Sequence, residues 1–455
     1  MEEIGLEFKK NLKKIYKYFG ISLPLWMESR KTLFIFSLID FILLFSIIRN
    51  INLDHGNDNY LIRCIYFVIV WSLFSYINGR YSYLREFKTT INKLYKLFII
   101  TVFVTLFVYV LDKTLIIYFE QWLPLGRDNL ITIFTLSYLC QSIKFFIPNP
   151  LTGNQFIYLV GKEKDKIHFR NYCLNTIKRN KLIFKDINSI DKDIMNFKTI
   201  VLLENDYNDF LLKYSYLISE NTDIISVTRW CEKNLQRIPV EYLNKTDFDI
   251  NILLNPSHKI NWRLKRFGDV LVSLILLIIS SPLIIISAFL IKLEDKGPIF
   301  YSQERTGLYG EKFKISKLRT MKKNSEPNGA VWAKSDDPRV TKVGRFLRKS
   351  RLDELPQLWS VVTGQMSLIG PRPERPEIEK ILIKEIPFYN YRNTIRPGLS
   401  GWAQVNYRYG ASIEDSKNKF SYEVFYLRNY SFLLDLLIFF KTLKLVINMQ
   451  GSDPE

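Results

Sequence analysis

The chain has 455 residues, and 64 Lys and Arg against 45 Asp and Glu leave it at +19, with 47% apolar residues, 15% aromatic residues and three histidines. A chain of that length suits two or three domains, and near-zero mean hydropathy beside so many charges excludes a uniform soluble globule in favour of joined membrane and soluble parts. His55, His168 and His258 are too scattered for a histidine-rich metal centre or a Ser-His-Asp triad, and Cys64, Cys140, Cys173 and Cys231 form no C-x-x-C pair and imply no disulfide framework, which fits a reducing cytoplasm.

Four long apolar stretches, Thr32 to Ile48, Leu61 to Ile77, Leu97 to Leu111 and Leu130 to Ile147, approach the ~20 residues that a bilayer span needs and show no polar face at helical period. The opening segment carries Lys9, Lys10, Lys13, Lys14, Lys17, Arg30 and Lys31, and the second connection Arg80, Arg85, Lys88, Lys93 and Lys96. The excess of cations places both in the cytoplasm. Asp54, Asp58, Glu120 and Asp128 mark the first and third connections, so four spans return the chain after Pro148 to the side where it began. A long charged segment precedes the first apolar run, so no cleavable leader is expected.

From Leu151 to about Lys259, short β-rich runs alternate with polar helical stretches: Phe156 to Val160, Lys181 to Phe184, Thr199 to Leu203 and Ile224 to Val227. The pattern predicts a small Rossmann-like α/β unit with a parallel sheet. Only Gly153 and Gly161 occur between Leu151 and Phe267, too few for a G-x-G-x-x-G turn, so a structural or regulatory role is expected in place of dinucleotide chemistry. A fifth apolar run, Val270 to Ile291, is flanked by Arg263, Lys265 and Arg266 before it and Lys292, Lys296 and Arg305 after it. Basic residues at both ends ask for both ends in the cytoplasm. Proline removes a backbone donor and bends a helix, so Ser281-Pro282 predicts a broken helix that enters and leaves by the same face. The apolar tail, Phe432 to Val446, is interrupted by Asp435, Lys441 and Lys444 and predicts an interfacial helix.

The chemistry concentrates after Trp262. Asp337-Pro338-Arg339 opens a block running to Gly344-Arg345, followed by Ser350-Arg351-Leu352-Asp353-Glu354-Leu355-Pro356-Gln357, Met366-Ser367-Leu368-Ile369-Gly370-Pro371-Arg372-Pro373-Glu374 and Arg396-Pro397-Gly398-Leu399-Ser400-Gly401-Trp402. Together with Lys265-Arg266-Phe267-Gly268-Asp269 and Lys317-Leu318-Arg319-Thr320-Met321, these blocks resemble the bacterial sugar transferases that act as monotopic polyprenyl-phosphate phosphoglycosyl transferases, over roughly Trp262 to Ile447. The preceding spans and α/β unit resemble the larger subgroup that primes capsule, exopolysaccharide or O-antigen synthesis.

Physical reading of these residues agrees with such chemistry. Acidic Asp353 and Glu354 precede a proline in the first turn of a helix running toward Gly364, where the macrodipole adds only ~0.3 to 1 kcal/mol. A carboxylate ionised at neutral pH can attack phosphorus without a general base, which makes the scarcity of histidine no obstacle. Repulsion between that anion and a diphosphate must be relieved by a divalent cation and by cationic side chains. Arg305, Lys317, Arg319, Arg339, Arg345, Arg348, Arg351, Arg372 and Arg396 are the candidates, with Arg372 and Arg396, each beside proline, favoured as a clamp.

The resemblance implies Asp353 as nucleophile, Glu354 as its partner in an acidic dyad that places Mg2+, a UDP-sugar donor (UDP-glucose or UDP-galactose), undecaprenyl phosphate as acceptor and UMP as product. It also implies a fold of three parts: a four-helix transmembrane region (1–150), a Rossmann-like α/β domain (151–260) and a mainly α catalytic domain (261–455) anchored by the re-entrant helix 270–291. The location implied is the bacterial inner membrane, multi-pass, with the catalytic domain on the cytoplasmic face, in contact with membrane lipids and downstream glycosyltransferases, and a homodimer is open to it. A fragment beginning near Lys259 is expected to carry the chemistry. The competing readings are an idle membrane scaffold, against which the intact dyad argues, and a nucleic-acid binder, for which +19 is the only motive. The cations border membrane segments, where headgroups and substrate phosphates account for them, so no nucleic-acid partner is expected.

Overall fold

The computed structural model describes residues 30–53, 60–82, 89–118, 127–146, 155–176, 182–186, 199–203, 223–243, 256–322, 337–407, 410 and 412–449. The lysines Lys9 to Lys17 of the opening segment and the acidic marks Asp54, Asp58 and Glu120 lie outside these residues. The chain divides into two compact units, Met1–Phe156 with Arg179–Ile183, and Ile157–Lys178 with Phe184–Glu455.

The first unit is built from four helices over the four apolar stretches: α1 (Lys31–Leu53), α2 (Tyr60–Ile77), α3 (Thr90–Tyr118) and α4 (Arg127–Ser142). Leu44, Ile48, Phe67, Trp71, Ile100, Val104 and Ile133 pack its interior. Leu38, Ile42, Phe103, Leu106 and Leu139 face outward, whereas Asp40, Arg80, Thr101, Ser137 and Gln141 are fully buried. Charges inside and hydrocarbon outside invert the pattern of a water-soluble bundle and suit a lipid surround. Among the described residues two helices in the chain are long and apolar enough to cross a membrane, Thr90–Thr114 here and Arg263–Asp295 in the second unit. Arg80, counted above among the cations of the second connection, turns back after Gly79 and pairs inside the bundle with Asp40, which also accepts from Trp71 Nε1 at 3.3 Å and Ser137 Oγ at 2.8 Å. Burial of one charge makes burial of its counter-charge favourable, and a pattern of apolar residues alone does not reveal such a pair.

The α/β region, most of it in the second unit, runs through β1 (Gln155–Val160), α5 (Glu163–Thr176), β2 (Leu182–Asp186), β3 (Thr199–Leu202), β4 (Asp223–Ser226) and α6 (Val227–Leu235). The strands form one sheet in the order β2-β1-β3-β4, with β1/β3 and β3/β4 parallel, as the alternation of short apolar runs and polar helical stretches predicts. After α6 the chain does not leave the unit. Ile238, Val240 and Leu243 enter a core shared with Leu382, Ile386, Tyr389, Phe420 and Val424. The expectation of an autonomous fragment from Lys259 meets this obstacle, because part of the C-terminal core is supplied from before that point.

Next comes α7 (Pro256–Asp295), a single helix of 40 residues. The expected break at Ser281-Pro282 is not a break in the helix. Pro282 leaves the Ile278 carbonyl without its backbone donor, and Ser281 Oγ donates to that same oxygen at 2.8 Å. The helical path therefore continues through the proline. Its first turns are fixed by Lys265, which donates to Asp435 at 2.7 Å and to the Ile369 carbonyl at 3.0 Å, and by Asp269, which accepts from Ser367 Oγ at 2.7 Å. Its last turn is fixed by Glu294, which accepts from Lys342 N at 2.8 Å, and by Ile291 in a core with Leu318 and Leu347. Between these anchors Ile278, Ile279, Ile285, Ile286 and Phe289 are exposed.

The remaining elements are β5 (Phe300–Thr306), β6 (Lys312–Leu318), α8 (Lys342–Ser350), α9 (Leu358–Val362), β7 (Ser367–Ile369), α10 (Pro376–Glu385), β8 (Gly398–Ser400), α11 (Trp402–Asn406), α12 (Ile413–Arg428) and α13 (Phe432–Ile447). β5 and β6 pair antiparallel, and β7 and β8 parallel. Helix α13 packs one side inward through Leu434, Asp435, Leu437 and Ile438 while Phe432, Leu433 and Leu436 stay exposed. The glycines of the G-P-R-P and R-P-G-L-S-G blocks have a steric reason. A Cβ on Gly398 would stand 2.1 Å from Gly370 N, and one on Gly401 would stand 2.2 Å from the Gly370 carbonyl oxygen, so these two loops meet backbone to backbone.

Candidate active site

Asp353 and Glu354 sit on a 3₁₀ segment, Leu352–Gln357, that precedes α9, not on the α-helix itself. Pro356 suits this first turn because it has no N–H to place, and Arg351 before it adopts a left-handed φ of 57° that turns the chain out of α8. Both carboxylates are buried, at 8% and 9% exposure.

Their surroundings differ. Glu354 Oε1 accepts from Lys317 Nζ of β6 at 2.7 Å and from Arg372 of the loop after β7 at 2.6 Å, while Arg351 lies 3.7 Å from Oε2. Burial alone would raise this carboxyl, but the Arg372 and Lys317 charges outweigh it and hold Glu354 well below the usual carboxylate range. Asp353 receives no hydrogen bond among the described residues. Burial, and next the adjacent Glu354 charge, push it up to about 6, against the opposing pull of Lys317, Arg348 and Arg372. The pair thus has one carboxylate committed to cations and one that accepts no hydrogen bond from the described residues.

The remaining predicted cations divide. Arg305 donates to the Pro373 carbonyl at 3.1 Å and so supports the loop that carries Arg372. Arg348 donates to Thr320 Oγ1 at 2.9 Å while its charge reaches Asp353. Arg319 instead pairs with Asp295 at the end of α7. Arg339 closes a local fork with Asp337 at 2.5 Å, holding that carboxyl down at about 2, chiefly through the hydrogen bond. Arg345 is an exposed residue of α8. Arg396 donates to the Gly364 carbonyl at 2.9 Å and lines a small cleft with Lys265, Arg266, Asp269 and Tyr430, so Arg372 and Arg396 stand in different neighbourhoods. Ser281 and Pro282 lie on the exposed stretch of α7.

Sequence reading passed over Arg392 and Glu423, a buried pair whose guanidinium also reaches the Arg372 carbonyl at 2.6 Å. The available signal was an arginine four residues before Arg396 in an aromatic segment, which by itself reads as a surface charge.

These residues fit a magnesium ion whose shell a substrate completes. Among the described residues no three His, Cys, Asp or Glu groups gather as a protein cage. Mg2+ is commonly held by one or two carboxylates with substrate phosphates completing its shell, and Asp353, whose oxygens no described residue engages, has the chemistry for that role.

The model of the family described as "Bacterial sugar transferase" matches residues 260–449, which contain every group just named as meeting Asp353 or Glu354. A UDP-N-acetylgalactosamine-undecaprenyl-phosphate N-acetylgalactosaminephosphotransferase of Aeromonas hydrophila is 42% identical over 216 residues, 48% of this chain and 50% of that protein. A UDP-glucose:undecaprenyl-phosphate glucose-1-phosphate transferase of Klebsiella pneumoniae is 38% identical over 190 residues, 41% of each chain. The chain thus spans half or less of the length of these two relatives. A protein with the same printed activity from Caulobacter vibrioides is 39% identical over 190 residues, 41% of this chain and 71% of its own length. Carboxylates, cations and the glycine-lined loop contact all lie inside the region these proteins share, and the chain belongs to the bacterial sugar transferase family.

Proposed function

We propose that this protein transfers a sugar-1-phosphate from a UDP-sugar to undecaprenyl phosphate with release of UMP. The observation that carries the reading is the divided carboxylate pair: Asp353 buried and without a hydrogen-bond donor among the described residues, beside a Glu354 neutralised by Lys317, Arg372 and Arg351. An Asp353 oxygen attacks the β-phosphorus of the UDP-sugar, the bond from that phosphorus to the bridging oxygen breaks, and UMP leaves with the electron pair. The acyl-phosphate then carries the sugar. An oxygen of undecaprenyl phosphate attacks the same phosphorus, and Asp353 is released as carboxylate. Lys317, Arg348 and Arg372 supply positive charge where negative charge gathers. Magnesium, held by Asp353 with assistance from Glu354, would screen the diphosphate.

The relatives' printed donors, UDP-N-acetylgalactosamine and UDP-glucose, support a hexose or N-acetylhexosamine donor. UDP-galactose stays among the donors to test. We place the reaction on the cytoplasmic face of a bacterial inner membrane, as the first membrane step of capsule, exopolysaccharide or O-antigen assembly, its product consumed by glycosyltransferases. The sheet order β2-β1-β3-β4 with parallel pairing supports a Rossmann-like reading of the α/β region. Both ends of α7 are anchored in one domain, which supports re-entry, since a crossing helix would carry those anchors to opposite faces of the bilayer. Single cysteines at Arg263 and Leu293 should be labelled from the same side of sealed vesicles. Labelling from opposite sides would show an ordinary span.

The chemical test is single turnover without acceptor. Wild type with magnesium and UDP-sugar should release at most one UMP per site and retain labelled phospho-sugar on the peptide containing Asp353, and Asp353→Asn should do neither. Release of UMP only when undecaprenyl phosphate is present, with no labelled protein, would favour direct transfer.

A further inference from the structure

The loop Gly370–Glu374 is held by its carbonyls. Pro371 O accepts from Gly398 N at 2.8 Å, Pro373 O from Arg305 at 3.1 Å and Glu374 O from Thr306 N at 2.9 Å. Arg372 O accepts from Arg392 at 2.6 Å. Pro373 has no N–H, so the peptide unit joining Arg372 to Pro373 offers one polar handle, its carbonyl, and whatever holds that oxygen sets the plane from which the Arg372 side chain departs.

We propose that Arg392, locked by Glu423, is a positioning residue that aims Arg372 at Glu354 in the carboxylate pair; this rests on the sugar-phosphate transfer reading above. Arg392 is 3% exposed, lies over the Tyr389 ring at 4.9 Å and is bound by both oxygens of Glu423 at 2.8 Å. Its charge is thereby matched within the core, with Glu374 a further 4.0 Å neighbour. A buried ion pair is often no more stabilising than apolar residues of the same volume. What an apolar pair could not provide is a fixed N–H directed at a loop carbonyl. Glu423 comes from α12 and Arg392 from the 3₁₀ segment Tyr389–Thr394, so two elements far from Glu354 in sequence fix one side chain that touches it.

The test is a double-mutant cycle on the full-length protein in detergent, reading the rate of UMP release under saturating UDP-sugar. Arg392→Lys keeps the charge but loses the planar fork, and a misplacement of ~1 Å at a reacting group costs ~100-fold. Arg392→Lys should therefore slow release by ~30- to 100-fold in wild type but by less than ~2-fold when Arg372 is already Ala, because the group it positions is gone. An equal factor in both backgrounds, or wild-type turnover by Arg392→Lys, overturns the proposal. Should Arg392→Lys fail to fold, Glu423→Gln, which leaves Arg392 in place but weakens its lock, is run through the same cycle with the same expectations. Phospho-sugar labelling of Asp353 in wild type is measured alongside: intact labelling with an additive cycle sinks the positioning role alone, and absent labelling sinks the covalent reading independently.

Discussion

Asp353 and Glu354 share one turn and one degree of burial, but substitution should move stability in opposite directions. The folded Asp353 carboxyl titrates at about 6 in place of 3.8, so the native state keeps its proton longer than the unfolded chain. Stability therefore falls as pH rises from about 4 to about 6, and an amide removes the penalty, a gain of ~3 kcal/mol at pH 7 by proton linkage. Asp353→Asn should be inactive and should melt higher than wild type. Glu354 has the reverse sign: its stabilising charge is present above about 4.5 and lost as pH falls through the depressed folded value. Glu354→Gln strands Lys317 and Arg372, and losing one partner of a buried pair costs ~3 to 5 kcal/mol. Differential scanning calorimetry on both variants checks the signs, and the rate of UMP release by wild type should rise through pH ~6 and level off if the Asp353 carboxylate is the attacking form. The two acids before a proline were legible, and the family resemblance implied separate roles for them. The electrostatic contrast between them was not legible, because the cations that create it come from 37 residues earlier and 18 residues later, brought near only by the fold.

At the scale of the element, α7 sets a local preference against tertiary anchors. Apolar length, the basic flanks and the proline were readable. The anchors were not, since Lys265 with Asp435 spans 170 residues. Pro282→Ala would restore one backbone hydrogen bond, worth ~0.5 to 1.5 kcal/mol, and remove the ring that favours a bend. Against it stand hydrogen bonds to charged groups at both ends, each worth ~1.5 to 3 kcal/mol: Lys265 with Asp435, Asp269 with Ser367 and Glu294 with Lys342 N. The anchors win, so Pro282→Ala alone should keep cysteines at Arg263 and Leu293 labelled from one side. Combining it with Asp435→Ala should release a fraction with the Arg263 site exposed on the opposite face. A complete change of side in the single variant would show that proline, not anchoring, sets the topology.

For the whole molecule, the α/β region contributes more than a tether. Ile238, Val240 and Leu243 are nearly fully buried against Leu382, Phe420 and Val424, Trp402 Nε1 donates to the Gln236 carbonyl at 2.9 Å, and Arg428 donates to Glu232 at 2.7 Å. At ~1.5 to 3 kcal/mol per buried aliphatic side chain, omitting the three costs ~5 to 9 kcal/mol, comparable with the stability of an entire domain. A fragment starting at Pro256 should be protease-sensitive and melt well below one starting at Ser226, which keeps α6 and the docking segment. Equal melting temperatures would show that the segment is dispensable. The same arrangement also imposes a schedule on synthesis. Leu243 leaves the ribosome about 180 residues before Val424, and at ~5 to 20 residues per second its apolar neighbours wait roughly 10 to 40 seconds for the partners that cover them. The carboxylate pair and its cations are all made within that interval, so the nascent chain holds these groups before it holds Phe420 and Val424, the last of the residues that cover the segment.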